Sequence, residues 1–498
     1  MSLPHGLAIT AASAMAVINS YASPIYEPCK ATPPKLTREL RGAWIASVAN
    51  IDWPSTSDLS TAEQKQELQQ MLDRVDRLGL NAVFLQVRPS CDALYASSLE
   101  PWSEYLTGRM GKAPTPFYDP LEFAIKEAHQ RGLELHAWFN PFRVRHGGAK
   151  SPPSPNHVSQ TRPALVRHYG SSLWLDPGEP GAQEYSYQVV LDVVERYDID
   201  GVHFDDYFYP YKEKDSNGEE IDFPDEPSWK RFGQSSHLSR DDWRRANVNR
   251  FVQRVYNGIK LRKPWVKFGV SPFGIWRPGN PPQIRGTDAY DKIYADSRLW
   301  LVNGWLDYLA PQLYWPIGQV DQSFPVLLEW WAAQNPKGRH VWAGMNDANL
   351  ARSWQPKEII DQVRIARGQK GVTGHIHYGL RRGLFQNAGS EQIFARDLYR
   401  EPALVPAYPW LQGGRPEKPS LRVVLNQAGC TINWRPLLRG RAHLWLVQTR
   451  SNGVWRTELM PGAQSSKKLA VGFPDVITVS AMDRYGAISA PAALQLRR

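Results

Sequence analysis

Between residues 42 and 379 the chain alternates eight times between a short apolar segment and a helix-patterned one, and few folds accept that rhythm. The apolar segments are 42–48, 82–88, 133–140, 201–205, 266–271, 308–315, 341–346 and 372–379. Each is short enough for a strand and sits apart from the next by a stretch able to form a helix. Residues 61–78 show the helical pattern well: Leu68, Met71, Leu72, Val75 and Leu78 recur at core spacing, and Gly79 supplies a stop. Eight strand–helix units over this length is the count of an α/β fold of the (β/α)8, or TIM, type. A doubly wound open sheet is the competitor, but no Gly-rich phosphate loop follows the first strand.

Strand side chains alternate between faces. One face carries Gln86 and Arg88, then His136, Trp138 and Asn140, then His203 and Asp205. It continues with Ser271, Gln312, Tyr314, Trp342, Asn346, His375 and His377. The other face stays largely apolar, as expected for a polar mouth above a packed barrel. Residues 146–163 and 211–242 are then loops on the mouth side, walling a cleft.

The stretch 199–210, Ile-Asp-Gly-Val-His-Phe-Asp-Asp-Tyr-Phe-Tyr-Pro, is the richest in chemistry. It reads as a strand running into two adjacent carboxylates and a proline-stopped aromatic loop. Burying polar groups along one strand face is costly unless they are bonded or functional, and barrel enzymes place chemistry at strand ends. Asp205 is therefore the first candidate for an acid or a nucleophile.

Past the Gly413-Gly414-Arg415-Pro416 linker the texture changes to short alternating strands with turn residues between. This predicts a small β-sandwich of immunoglobulin or fibronectin type. The expected division is a signal-like segment and linker at 1–38, a barrel at 39–412 and a sandwich at 417–498. From Glu417 onward twelve basic residues face four acidic ones, so +8 of the net +10 lies in the tail. A basic appendage on a nearly neutral body suits an anionic envelope surface as a partner. No Lys/Arg-rich run or nucleic-acid motif accompanies it, which argues against nucleic acid.

The 20 Trp, 21 Tyr and 16 Phe residues suit carbohydrate, whose rings present flat C–H faces to aromatic side chains. Cys29, Cys91 and Cys430 are far apart and form neither a disulfide framework nor a metal pattern. Residues 6–17 are apolar and Ser20-Tyr21-Ala22-Ser23 offers a cleavage site, so export is expected, although no Lys or Arg precedes the run. A lipid anchor is not expected, since Tyr26-Glu27-Pro28 before Cys29 lacks small residues. No other apolar stretch approaches membrane-spanning length.

Several motifs together resemble the glycosyl hydrolase-like 10 family of bacterial envelope proteins. They are Arg41-Gly42-Ala43-Trp44-Ile45, Asn50-Ile51-Asp52-Trp53-Pro54, Gln86-Val87-Arg88-Pro89 and Pro101-Trp102-Ser103 with Leu106-Thr107-Gly108. Further on come His136-Ala137-Trp138-Phe139-Asn140-Pro141, Trp174-Leu175-Asp176-Pro177-Gly178 and Asp205-Asp206-Tyr207-Phe208-Tyr209-Pro210. The run from Gly269 to Arg277 and Pro311-Gln312-Leu313-Tyr314-Trp315 complete the set. The resemblance implies a glycosidase-related barrel. It also implies an exported enzyme acting on peptidoglycan glycan strands stripped of stem peptides, in the periplasm or a similar compartment.

Glycosidic cleavage usually needs one protonated carboxyl and a second group about 5–5.5 Å away for retention or ~6.5–9.5 Å for inversion. Asp205 and Asp206 are neighbours in the chain and do not easily straddle one bond. They suit a substrate-assisted route, in which one carboxylate orients an acetamido group and the other is the acid. For a conventional route Asp176 is the partner, with Asp52 behind it; the competing role for Asp176 is a helix N-cap. No strand after the fourth ends in Asp or Glu, which departs from the commonest two-Glu barrels. Arg88, Asn140, Gln312, Tyr314, Asn346, His203, Tyr207 and His377 are candidate sugar contacts, and Trp44, Trp138, Trp276 and Trp315 candidate stacking platforms. A metal site from His136, His203, His375 and His377 with the two aspartates is the weaker alternative, and no cofactor is expected. A catalytically silent glycan-binding or scaffold protein is the alternative function.

Overall fold

Eight parallel strands close on themselves in the order in which the chain makes them. They are β1 (Leu40–Ile45), β2 (Ala82–Arg88), β3 (Glu134–Phe139), β4 (Gly201–Phe204), β5 (Lys267–Val270), β6 (Tyr308–Leu309), β7 (His340–Asn346) and β8 (Val372–Tyr378). β8 pairs with β1, His375 opposite Arg41, and so completes the barrel. The computed structural model describes residues 25–497 apart from 388, 412, 427–428, 437–441 and 470–471. The signal-like segment expected within residues 1–23 lies outside the described residues.

Helices cross back between the strands: α1 (Thr61–Leu78), α2 (Pro120–Gln130), α3 (Pro180–Arg196), α4 (Arg240–Arg262), α5 (Ser297–Asn303), α6 (Phe324–Ala333) and α7 (Pro356–Gly368), with α8 (Ser390–Asp397) after β8. Their starts are legible locally. Ser60 and Glu63 form a reciprocal capping box on α1, and Asp119 caps α2 with Pro120 in its first turn. Apolar residues on the outer strand face, such as Val83, Leu85, Val202, Phe204 and Val270, pack under these helices. The inner face fills the barrel with Trp44, Phe84, Trp138, Tyr308, Trp342 and Ile376. Two strand glycines make room for this plug: a Cβ at Gly269 would sit 2.1 Å from the Tyr308 ring, and one at Gly201 2.2 Å from His136.

Two expectations about strand faces need correction. Ile376 lies in the interior cluster, so Gly374, Ile376 and Tyr378 point inward on β8. His375 and His377 therefore point outward, where both bond Tyr399 Oη at 2.7 Å. In β2 the register shifts between Gln86 and Arg88, and a bulge of this kind re-aims the side chain that follows it. The Arg88 guanidinium consequently runs to Glu100 and to loop carbonyls.

The other end of the barrel is closed by the C-terminal segment that begins near residue 420. There the strands are β9 (Ser420–Asn426), β10 (Gly429–Arg435), β11 (Leu444–Ser451), β12 (Val454–Pro461), β13 (Ser466–Leu469), β14 (Val476–Met482) and β15 (Ala492–Arg497). β9, β10 and β13 form a three-stranded sheet, and β12, β11, β14 and β15 form a larger one whose fifth strand is Ile25–Pro28. Sequence patterning misses β13, β15 and Ile25–Pro28, since strands this short carry little periodic signal; β15 lies inside its sheet, between Ile25–Pro28 and β14. Alternation along β11 divides its burial. Trp445 and Val447 pack between the sheets with Ile432, Trp434, Ile477 and Val479. Leu444 and Leu446 instead join Leu40, Leu404, Val405 and Met482 beneath the barrel. The larger sheet is thus the barrel's floor.

Candidate active site

At the open end, Asp205 and Asp206 follow the last residue of β4. Asp205 is half-buried and accepts hydrogen bonds at both oxygens: Oδ2 from Asn140 Nδ2 at 3.1 Å, Oδ1 from Gln312 Nε2 at 3.3 Å and from the Asp206 backbone N–H at 3.0 Å. The Asn140 amide cannot turn over, because its Oδ1 takes hydrogen bonds from Gln86 Nε2 at 2.6 Å and Arg143 at 3.1 Å. Gln86 is fixed in turn, its Oε1 accepting from the backbone N–H groups of Ser47 and Val48 at 2.9 Å each. A chain of amides from three strands thus aims one donor at Asp205, a donor set complementary to a carboxylate anion.

Asp206 is nearly fully buried and hydrogen-bonds the Tyr211 hydroxyl. Burial, and then the neighbouring Asp205 carboxylate, raise its pKa well above the usual carboxylate range; Tyr211 opposes the shift. Two adjacent carboxyl groups of which one resists ionisation put a proton donor beside a hydrogen-bond acceptor. Such a pairing marks a functional site.

Beneath the pair lies a neutral layer. His203 is fully buried, and its Nε2 faces Trp44 Nε1 and Ser271 Oγ at 3.0 Å each while Nδ1 faces Tyr308 Oη at 3.1 Å. Burial, reinforced by His136, lowers its pKa well below the usual histidine range. With both nitrogens engaged, His203 supports the site from below and has no face for a ligand. Trp138 lies at the same level, and its buried Nε1 has no hydrogen-bond partner among the described residues. Tyr314 stacks on Tyr378 at 5.7 Å between ring centroids, and Tyr378 meets Trp44 edge-on at 6.4 Å. Asp205 and Asp206 both act electrostatically on these two tyrosines. Tyr207 bonds Asp205 and receives Arg143 Nη1 at 2.5 Å.

The structure therefore gathers Trp44, Trp138, Asn140, Asp205, Asp206, Tyr207, Gln312 and Tyr314 into one mouth. Other expected contacts are committed elsewhere. All five N–H donors of Arg88 are used, on Glu100, the carbonyls of Asn140 and Pro141, and Cys91 Sγ. Asp52 is buried and accepts the backbone N–H groups of Ala46 and Arg381 at 3.0 and 3.1 Å, tying the loop after β1 to the one after β8. Asp176 is fully buried against Arg167 at 2.9 Å, the Ser228 hydroxyl at 2.7 Å and the Gly178 N–H at 2.8 Å. Burial raises its pKa to about 6, but these partners enclose it. It does not cap α3 either: the N-cap is Glu179. His377 bonds Asp347 at 2.7 Å on the outer face of β8. Asn346 caps the short helix that follows β7, taking the Ala348 N–H at 3.2 Å. Trp276 stacks on Trp330, and Trp315 meets Phe273 edge-on. The four histidines weighed for a metal do not converge, because His375 and His377 lie outside the barrel wall and His136 and His203 inside it.

Three residues of the mouth escape the sequence reading. Arg143 sits just past strand three, on a short strand Arg143–Arg145 that pairs with Ser172–Leu175 inside what sequence presents as loop. Tyr211 lies at the end of the aromatic loop. Tyr378 is missed because the β8 parity was counted from the histidines instead of from Ile376.

Comparison with known proteins bears on the family and the fold. The sequence model of the family described as glycosyl hydrolase-like 10 matches residues 39–358. The chain is 44% identical to Glycosyl hydrolase YngK of Bacillus subtilis (strain 168), over 78% of this chain and 77% of that protein. It is 39% identical to Glycosyl hydrolase DigH of Escherichia coli (strain K12), over 62% of this chain and 74% of that one. Among solved structures, the catalytic domain of β-amylase from Paenibacillus polymyxa superposes with a TM-score of 0.51 at 11% identity, covering 74% of this chain and 99% of that domain. At that identity the likeness is one of fold.

Proposed function

The chain belongs to the glycosyl hydrolase-like 10 family, and from that premise we propose that it is an exported glycoside hydrolase. Its proposed substrate is the glycan strand of peptidoglycan, free of stem peptides, or a similar N-acetylhexosamine polymer. The observation that carries the reading is the carboxyl pair at the end of β4, with the Asp206 pKa pushed well up by burial and by Asp205.

The chemistry follows from what each group can do. Asp206 supplies the proton for the leaving glycosidic oxygen. Asp205, fixed by Asn140 and Gln312, supports the oxocarbenium-like centre, either directly or by orienting the substrate's 2-acetamido group. Two neighbouring carboxyls fit the acetamido route better, since Asp52 and Asp176 are spent on loop contacts. The Tyr314–Tyr378 stack offers a face for the sugar, with Trp44 packed beneath it, and Trp138 Nε1 is a donor to it.

We place the barrel at residues 39–412 and read the two C-terminal sheets as an immunoglobulin- or fibronectin-like sandwich at 417–498. Its net positive charge supports a second contact with an anionic envelope surface. No helix among the described residues is long and apolar enough to cross a membrane.

The test incubates purified protein with peptide-free glycan strands, intact sacculi, chitin oligomers and xylan, with Asp205→Asn and Asp206→Asn alongside and products read by mass spectrometry. Shortened N-acetylhexosamine chains from the wild type alone support the glycosidase. Retention on sacculi without any product favours the glycan-binding alternative, to which the enclosure of Asp52 and Asp176 lends its one support.

A further inference from the structure

The outer wall of the barrel carries a second groove, away from the mouth. It lies between α3 and the loop that precedes α2, has a volume of about 400 Å³, and is lined by Trp102, Phe117, Ser98, Asp192 and Arg196 among others. That volume is within the range of ~300–1,000 Å³ typical of small-ligand sites. Phe117 is 66% exposed, and its ring stands at 83° to the Trp102 indole with centroids 6.1 Å apart. The two rings form a corner, one a floor and the other a wall. A scattered exposed aromatic needs no explanation, but two held at right angles beside polar groups form a shaped surface.

The loop that carries them is fixed on both sides. The Trp102 carbonyl accepts the Gly111 N–H at 2.8 Å, and Asp119, two residues past Phe117, caps α2 and accepts Tyr197 Oη at 2.6 Å. Across the groove, Arg196 binds the Ala96 carbonyl at 2.9 Å and pairs with Asp192 at 2.6 Å. That pair cancels its own charge, so the groove offers hydrogen-bonding groups without a net field. Arg196 also borders an adjoining depression of about 360 Å³, whose ionisable lining includes Asp119, Glu122 and Asp198. These carboxylates disfavour an anionic ligand along the same wall.

A ligand matched to this site has a flat C–H face for the rings, hydroxyls for the rim, and no charge. We propose that the Trp102–Phe117 groove is a second, non-catalytic binding site for uncharged pyranose chains, holding a polymer beside the barrel while the mouth works on another stretch. The proposal rests on the N-acetylhexosamine-polymer form of the mouth reading, since a peptide-stripped peptidoglycan strand carries lactyl carboxylates that this wall disfavours. It assigns a use to the Pro101-Trp102-Ser103 motif, which has no part in the mouth.

The test uses the full chain as wild type, Phe117→Ala, Phe117→Tyr and Asp205→Asn, with chitin hexasaccharide as the probe. Binding is read by calorimetry, and self-association by sedimentation. Phe117→Ala is expected to weaken one class of sites about tenfold, Phe117→Tyr to preserve it, and Asp205→Asn to leave it intact. Turnover of a chitin trisaccharide should be unchanged in Phe117→Ala. Equal hexasaccharide affinity in wild type and Phe117→Ala overturns the wall site while leaving the mouth untouched. A loss of self-association in Phe117→Ala also overturns it, and makes the groove a contact between copies. If the wild type binds no glycan at either site, both readings fall together.

Discussion

The two ends of the barrel solve opposite problems with the same kinds of residue. At the floor, charged groups are buried and matched. Glu134 meets Lys267 at 2.7 Å and His136 at 3.2 Å, and Asp307 meets Lys260 at 2.6 Å and Trp410 Nε1 at 2.8 Å. Burial alone would push Glu134 up, but Lys267 and His136 hold it below the ordinary carboxylate range. At the mouth, Asp205 and Asp206 lie together with no cation bonded to either among the described residues, and burial and the neighbouring carboxylate push the Asp206 pKa well up instead. A buried carboxylate that finds a cation becomes structure, whereas one that faces another carboxylate remains an acid. Position along the strand thus separates stability from chemistry.

That contrast breaks first if Asp205→Asn leaves turnover intact. The expected loss is about 10²–10⁴-fold, with a midpoint of denaturant unfolding no lower than that of the wild type. The floor counterpart is Lys267→Met, which leaves Glu134 buried without its cation. It should cost about 3–5 kcal/mol, read by denaturant unfolding, while the protein that remains folded keeps its turnover rate. A Lys267→Met protein that lost activity without losing stability would erase the distinction between the ends.

The response to pH sharpens the comparison. His443, on the C-terminal side of the floor, stands 4.0 Å from both Glu134 and Asp200, and burial lowers its pKa to about 4. Because that is below the unfolded value, the unfolded chain takes up the proton first, and stability falls as pH drops from about 6.5 toward 4. Thermal unfolding across that window should show a decline that His443→Gln reduces. Asp206 has the opposite sign. Its raised folded value means that stability and the acid form are present at low pH and are lost as pH rises through that value, so activity should fall on the alkaline side. The smallest effect expected is that of Tyr211→Phe. Removing the hydroxyl takes away the one side-chain contact that lowers the Asp206 pKa, and the alkaline limb of the rate profile should move upward. The stability change should be about 1 kcal/mol; an unmoved limb would detach Asp206 from the rate.

Much of the barrel is legible in the chain. All eight expected strand segments become barrel strands, because a strand buried on both faces reads as a short apolar run bounded by turns. The Asp205–Asp206 pair is legible too, since two carboxylates after a buried strand are conspicuous without any partner in view. Arg88 and His377 read as mouth residues and are not, for one physical reason: a single bulge or a one-residue parity shift moves a side chain to the opposite face.

Sequence alone thus determined what depends on short-range pattern: the α/β rhythm, the helix stop at Gly79, and the acidic end of the fourth strand. Tertiary structure decided which carboxyl has its pKa pushed up, since the Asp206 shift depends on burial and on how Asp205 and Tyr211 meet it. It also decided that the sheet carrying Leu444 and Leu446 is the barrel's floor. Local alternation shows that β11 has two buried faces, but only the folded chain supplies the surfaces that bury them.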